Sequence, residues 1–287
     1  MALCFFVSDL HGNINKYNKL FERIKNEIPA AVFMGGDLLP SGLFAFTQAN
    51  DVPDNFTEDF LFKNLIELKN ELGKSYPSVF VILGNDDGRA IEPAFIRADE
   101  LGIIEYIHNK KVMFDEFSVF GYAYIPPTPF MLKDWEKYDV SRYVDPGCVA
   151  PEEGSFSVNV NKKLLPYQTI QKDLELLCKD EILSKSIFLF HTPPYKTNLD
   201  RAALDGKFFD HVPLDVHIGS IAVERFIIKH QPLITLHGHV HESTSITGIW
   251  KENIGNTLAM NAAHNGDALS LIRFDPYNLK NSSIELI

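Results

Sequence analysis

Near its amino end the sequence reads Cys4-Phe5-Phe6-Val7-Ser8-Asp9-Leu10-His11-Gly12, an apolar run followed by a carboxylate and an imidazole two positions apart. A run this short, rich in Phe and Val and without helical spacing, reads as a buried β-strand with Asp9 and His11 at its carboxyl end. The pattern recurs. Apolar runs at residues 31–34, 79–83, 187–190 and 233–236 lead to Asp37, to Asn85, to His191, and to His239 with His241. Between the first two runs, Ile14, Tyr17, Phe21, Ile24 and Ile28 step by three and four, the stripe of an amphipathic helix with Asn13 as its N-cap. A second helix is predicted after Thr57, with Leu61, Leu65, Leu68 and Leu72 inward, Glu58 and Asp59 in its first turn and Gly73 as its stop. Strand, helix, strand, helix, strand implies a mainly parallel sheet and an α/β fold.

In open α/β sheets, ligands bind outside the carboxyl ends of the strands, so residues far apart in sequence meet there. Residues i and i+2 of extended backbone project to the same side, which lets Asp9 with His11, and His239 with His241, serve one cation cluster. Gly35 and Gly36 precede Asp37, Gly84 precedes Asn85 and Gly238 precedes His239, as where a chain turns sharply or approaches a ligand closely. Each residue alone has a plainer reading: Asp9 as a helix cap, Asp37 in a turn, His191 as a hydrogen-bonded core histidine. Their joint occurrence, each after a predicted strand, is what points to a metal site.

The rest of the chain is read from the same signals. Residues 118–122 suit a strand, and helices are predicted over 169–179, with Ile170, Leu174 and Leu177 inward, and 220–229, with Val223, Phe226 and Ile227 inward. An irregular excursion around 123–166 is broken by Pro126, Pro127, Pro129, Pro146 and Pro151. Residues 245–250, 257–261 and 268–274 are expected as consecutive short strands in an antiparallel meander. Lys plus Arg number 27 against 38 Asp plus Glu, a net charge of -11 over 287 residues. That balance argues against a broad grip on long nucleic acid or an anionic membrane, and favours a small substrate. Cys4, Cys148 and Cys178 are odd in number and unrelated in spacing, which suits reduced thiols rather than disulfides or a thiolate zinc site. The start lacks a basic leader, and no run approaches the roughly 18 apolar residues of a membrane span, so the expected location is cytoplasmic.

Through Asp9-Leu10-His11, Gly36-Asp37, Gly84-Asn85, His191 and Gly238-His239-Val240-His241, the sequence resembles the calcineurin-like metallophosphoesterases. It is similar in particular to the predicted phosphoesterases related to the Icc phosphodiesterase, through Pro127-Thr128-Pro129-Phe130, His191-Thr192-Pro193-Pro194 and His217-Ile218-Gly219-Ser220. The resemblance implies a four-layer α/β/β/α sandwich, a single domain over residues 1–287, and a two-metal centre. It puts Asp9, His11 and His241 on one metal, Asn85, His191 and His239 on the other, and Asp37 between them. Imidazole, carboxylate and amide ligands without thiolate suit Mn²⁺, Fe or Zn²⁺. Two such ions hold a bridging hydroxide as nucleophile and polarise phosphoryl oxygens, so the implied function is hydrolysis of a small phosphorylated substrate, with a phosphodiester or nucleotide favoured. The alternatives are a non-catalytic scaffold or ligand-sensing module on the same fold, and a protein phosphatase.

The sequence departs from the family's Gly-Asn-His at Gly84-Asn85-Asp86, where the usual histidine protonates the leaving group. An aspartic acid, with a reference pKa near 3.9, is a poor proton donor at neutral pH. Asp86 and His217 are therefore the candidate catalytic residues, with His237 and His264 as further substitutes for the missing acid. Gly219 and Ser220 begin the helix over 220–229, whose free N–H groups suit a substrate anion, and Arg89 is a candidate phosphate clamp. The aromatic stretches at residues 43–46 and 126–130 are candidate walls of the substrate site.

Overall fold

A computed structural model describes residues 2–40 and 53–287. In chain order it holds β1 (Cys4–Val7), α1 (Ile14–Glu27), β2 (Ala31–Gly35), α2 (Lys63–Leu72, entered through a π-helical turn at Thr57–Phe62), β3 (Ser78–Ile82), α3 (Glu92–Glu100), β4 (Glu105–Tyr106), β5 (Lys110–Phe114) and β6 (Phe117–Tyr122). It continues with α4 (Ile170–Leu177), β7 (Ser186–Phe190), β8 (Phe208–Phe209), β9 (Val212–Pro213), α5 (Ile221–His230), β10 (Ile234–His237), α6 (Ser243–Thr247), β11 (Lys251–Ile254), β12 (Thr257–Asn261), β13 (Ser270–Phe274) and β14 (Ser283–Leu286). The signals that predicted the helices act as expected. The Asn13 side chain accepts from Lys16 N at 3.1 Å, and α1 buries Tyr17, Leu20, Phe21 and Ile24. Ile28 leaves that stripe, because as C-cap it takes a left-handed φ of 45° and stands half exposed.

Two six-stranded sheets carry the architecture, ordered β14-β13-β1-β2-β3-β4 and β11-β12-β10-β7-β6-β5. In the first, β1 to β4 run parallel in sequence order. Their right-handed crossovers place α1, α2 and α3 on one face. In the second, β6, β7, β10 and β12 are parallel, so α4 and α5 share the opposite outer face and pack on each other. The inner faces meet where β2 touches β7 and β3 touches β6. This is the α/β/β/α layering implied by the resemblance. Strands buried on both faces are continuously apolar, as Phe5, Phe6, Phe33, Phe80, Phe188 and Phe190 show.

The carboxyl-terminal expectations need correction. Residues 245–250 hold no strand: Ser243–Thr247 makes a helical turn in which Thr247 Oγ1 donates to Ser243 O at 2.8 Å, closed by Gly248 at φ 72°. Hydroxyl side chains that bond their own preceding turn compete with a strand ladder. The meander is also absent. β12 lies parallel to β10 with β11 as its hairpin partner, while β13 crosses to the other sheet and pairs antiparallel with β1. Among the described residues, no helix is long and apolar enough to cross a membrane.

Candidate metal centre

The carboxyl ends of β1, β2, β3, β7 and β10 converge, and the loops leaving them brace one another. Asp9 N donates to Gly36 O at 3.0 Å, His11 N to Asp37 O at 2.8 Å, and Gly12 N to Leu38 O at 2.9 Å. The backbone of His239 donates to both oxygens of Asp9 at 3.1 Å. These bonds hold an unusual conformation. Asp9, His11, Asp37 and His239 all have positive φ, at 58°, 46°, 51° and 69°. Left-handed backbone costs non-glycine residues about 1–2 kcal/mol each and gathers where function needs a side chain aimed in one direction.

The donor atoms form two groups that share one residue. Asp9, His11, Asp37 and His241 offer ligand atoms within 4.8 Å of one another, as do Asp37, His191 and His239. Asn85 joins the second group through its Oδ1, 3.1 Å from His191 Nε2. His191 Nδ1 donates to Gly35 O at 2.7 Å, which fixes the tautomer and leaves Nε2 facing Asp37 Oδ2 at 3.3 Å. A ring so anchored by a backbone carbonyl is the usual support of a metal-binding imidazole. On the other side His241 Nε2 lies 3.0 Å from Asp9 Oδ1. Burial raises the Asp9 carboxyl, but the bond to His241 and the charges of the imidazoles overcome it and hold the group well below the usual carboxylate range. Burial opposes charge on His191 as well, yet Asp37 and Asp9 bring it up to about 10. His239, with burial and His191 against it, falls to about 3. Four imidazoles, two carboxylates and an amide, with no thiolate, suit a borderline or hard divalent cation. The set fits divalent metal binding.

Glycines make this crowding feasible. A Cβ on Gly84 would strike Asp37 and stand 2.7 Å from His191 Cε1, and one on Gly36 would lie 2.7 Å from His191 Nδ1. We expect Gly84→Ala to force Asp37 and His191 apart and weaken metal affinity by about 10- to 100-fold, the range seen when groups supporting metal ligands are lost. A metal titration of the folded variant measures it, and unchanged affinity contradicts the packing argument.

Asp86 belongs to the cluster. Its N–H donates to Asp37 Oδ1 at 2.8 Å, and its carboxylate lies 3.6 Å from His11 Nδ1. Burial and the Asp37 charge push it up to about 6, closer to neutrality than the ordinary aspartate value. The next residue, Asp87, was missed in the sequence although it adjoins the motif. Fully buried, it accepts from Leu38 N at 3.0 Å, Leu39 N at 2.8 Å and Gly84 N at 2.9 Å, tying the loop that bears Asp37 to the loop that bears Asn85. Asp87→Ala strands those N–H groups at about 1–3 kcal/mol each. The expected loss is about 3 kcal/mol or more in denaturant unfolding, with Asp87→Asn falling between; a loss under about 1 kcal/mol contradicts the bracing role.

The other candidate residues have different partners. The amino end of α5 is taken by the chain's own Asp139, which accepts from Ser220 Oγ and Ile221 N at 2.6 Å and from Ala222 N at 3.1 Å. Gly219 N donates to Asp200 at 3.2 Å. Gly219 and Ser220 are therefore corrected from substrate contacts to an internally neutralised helix start. His217 pairs through Nδ1 with Asp200 at 2.7 Å, and none of its hydrogen bonds reaches the seven donors. His237, fully buried, bonds Thr192 O and Thr235 Oγ1 and is structural. His264 remains partly exposed, held below its ordinary value by burial, Lys16 and His241. Arg89 is engaged by other groups, where a phosphate clamp would be free: its Nε donates to Glu92 at 3.1 Å, its Nη1 to the Tyr124 hydroxyl at 3.2 Å, and the guanidinium lies over Trp135. Residues 126–130 hang on a buried Lys133–Glu136 pair that also binds Thr128. The stretch at 43–46 lies outside the described residues.

Comparison with known proteins agrees with this geometry. Among solved structures, TT1561 of Thermus thermophilus is 15% identical, covers 99% of this chain and 98% of its own, and superposes with a TM-score of 0.55. A phosphopantetheinyl hydrolase from Mycobacterium tuberculosis is 12% identical over 92% of this chain and 90% of its own, with a TM-score of 0.52. At such identities the likeness shows the fold alone. No curated protein sequence matches the chain. The family model for calcineurin-like phosphoesterases matches residues 4–243, from the first strand to just beyond His241. With the shared donor groups at its strand ends, the chain belongs to the calcineurin-like phosphoesterases and is a metal-dependent phosphoric ester hydrolase.

Proposed function

We propose that the chain hydrolyses a small phosphorylated substrate, a phosphodiester or nucleotide, at a centre for two divalent cations. The observation that carries this reading is the position of Asp37 in both donor groups. In it Asp9, His11 and His241 hold one ion, Asn85, His191 and His239 the other, and Asp37 reaches both. Such ions supply Lewis acidity toward phosphoryl oxygens and a water acidic enough to attack at neutral pH. The chain's own part is orientation. Asp9 fixes the backbone of His239 and the ring of His241, Gly35 O fixes His191, and Asp87 fixes the loops of Asp37 and Asn85. Mn²⁺, Fe and Zn²⁺ all suit the donors. The three free thiols suit a reducing, cytoplasmic setting. We treat residues 1–287 as one domain, since β13 and β14 complete the sheet that β1 begins.

The test is a panel of phosphomonoesters, phosphodiesters and nucleotides offered to protein loaded with each metal, alongside elemental analysis. Two ions per chain and turnover of a small ester are expected. One ion per chain overturns the binuclear centre, and full loading with no turnover favours a ligand-sensing module.

A further inference from the structure

A cavity outside the donor cluster is lined by residues between Arg89 and Gln168. It has a volume of about 620 Å³, within the roughly 300–1,000 Å³ of small-molecule sites. His108 follows β4 and Tyr124 follows β6, so it lies at the carboxyl ends of the strands, the same end that bears the donor cluster. Arg89, in its wall, is four residues beyond Asn85, a chain reach of at most about 14 Å. Trp135, buried between the lining residues Asp134 and Glu136, donates through Nε1 to Asp87 O at 2.7 Å, tying the cavity wall to the loop braced behind Asp37.

The lining chemistry selects a ligand class. Every cation in the wall has its own counter-charge: Arg89 with Glu92 at 3.1 Å, Lys133 with Glu136 at 2.5 Å and Lys137 with Asp173 at 2.6 Å. The cavity thus has no unpaired cation for a phosphate. What it offers is neutral hydrogen bonding. The Gln168, Asn109 and Asn159 carboxamides line it and bond no other side chain or backbone among the described residues. His108 adds a donor: its Nδ1 accepts from Ala123 N at 3.1 Å, so the neutral ring carries its hydrogen on Nε2. Burial, with Lys137 and Arg89 nearby, pushes this imidazole down to about 3 and keeps it neutral at any physiological pH. A planar group completes the set: Arg89 is in the wall and its Cζ lies 5.3 Å from the Trp135 ring centroid, so a flat ligand in the cavity would meet the guanidinium face turned away from Trp135. Carboxamides that pair in two directions, an imidazole N–H and a flat guanidinium together match a planar heterocycle with donors and acceptors on its edge.

We propose that this cavity binds the nucleoside portion of the substrate, with the base between the Arg89 plane and the carboxamides of Gln168 and Asn159. This rests on the phosphoesterase reading above, which makes the substrate a phosphate ester. Calorimetry with adenosine, guanosine, cytidine and uridine, without added metal, tests the cavity directly. One nucleoside is expected to bind at one site per chain with Kd below about 1 mM. Gln168→Ala and Asn159→Ala, both on loop residues, are expected to weaken it about fivefold or more each, the loss of one hydrogen bond. With metal-loaded protein, Gln168→Ala is expected to raise KM for a nucleoside 5′-(p-nitrophenyl phosphate) about fivefold. No nucleoside binding, unchanged affinity in both variants, or equal binding of ribose or glucose overturns the assignment. Wild-type hydrolysis of bis(p-nitrophenyl) phosphate, which has no nucleoside, reports separately on the phosphoesterase reading, so nucleoside binding without ester cleavage sinks that reading and leaves the cavity assignment standing.

Discussion

Asp37→Ala is expected to lose both metal ions and to lower phosphoester hydrolysis by about 10³-fold or more. The size follows from what the ions supply. Electrophilic stabilisation at a two-metal site is worth several kcal/mol, and each 1.36 kcal/mol is tenfold in rate. The direction follows from geometry, because Asp37 is the residue common to both donor groups and its Oδ2 faces both His11, at 4.0 Å, and His191, at 3.3 Å. Its other oxygen receives the Asp86 N–H, so the substitution also loosens the loop that bears Asn85. Asp37→Asn keeps the shape and one acceptor while removing the charge, and separates those effects. Elemental analysis beside steady-state rates decides the matter: loss of a single ion, or retention of both, contradicts the shared role.

The second large effect concerns the leaving group. Asp86 stands where the family pattern carries histidine, and divalent cations held by the neighbouring donors would favour its anion over its acid form. General acid catalysis is worth about 10²- to 10⁴-fold, and its value grows with the basicity of the departing oxygen. Aryl esters and phosphoanhydrides are therefore expected to be cleaved far faster than simple alkyl esters. Asp86→His is expected to speed alkyl esters more than aryl esters, since it puts an imidazole at the position whose carboxylate now lies 3.6 Å from His11 Nδ1. Rates across substrates graded by leaving-group pKa, in both proteins, give the answer. A flat series in wild type, with chemistry rate-limiting, means that another residue delivers the proton.

The central strands and the donor set were legible because both rest on local signals. β1, β2, β3, β7 and β10 are buried on both faces and so appear as mostly apolar runs, Thr235 of β10 being the interruption, and each donor follows its run within a few residues. β5 gave no such signal. Its Lys110-Lys111-Val112-Met113-Phe114 lies on a sheet edge, largely exposed, and pairing alone makes it a strand. The stretch after His241 misled because Thr, Ile and Trp favour strands on average, while the hydroxyls of Ser245 and Thr247 here bond back to Glu242 O and Ser243 O. No local signal reveals that β13 pairs with β1, some 270 positions away. Anion sites were also beyond reach, because Asp139 meets the start of α5 from 81 residues upstream. The left-handed backbone at Asp9, His11, Asp37 and His239 is held by loop bracing between distant segments, although Asp and His tolerate it better than most residues.

The pairing of β1 with β13 has a consequence for biosynthesis. Cys4 to Phe6 leave the ribosome about 270 residues before their partners Ile272 to Phe274. At about 5–20 residues per second the interval is on the order of 15–55 s. Through it, one edge of an entirely apolar strand stays open to any neighbouring chain, the circumstance in which nascent sheets aggregate. Asp9 waits almost as long for His239 and His241, so no ribosome-bound chain short of His241 completes the donor cluster. A chaperone that shields the amino-terminal strand during translation should raise the yield of active protein more than one supplied after release.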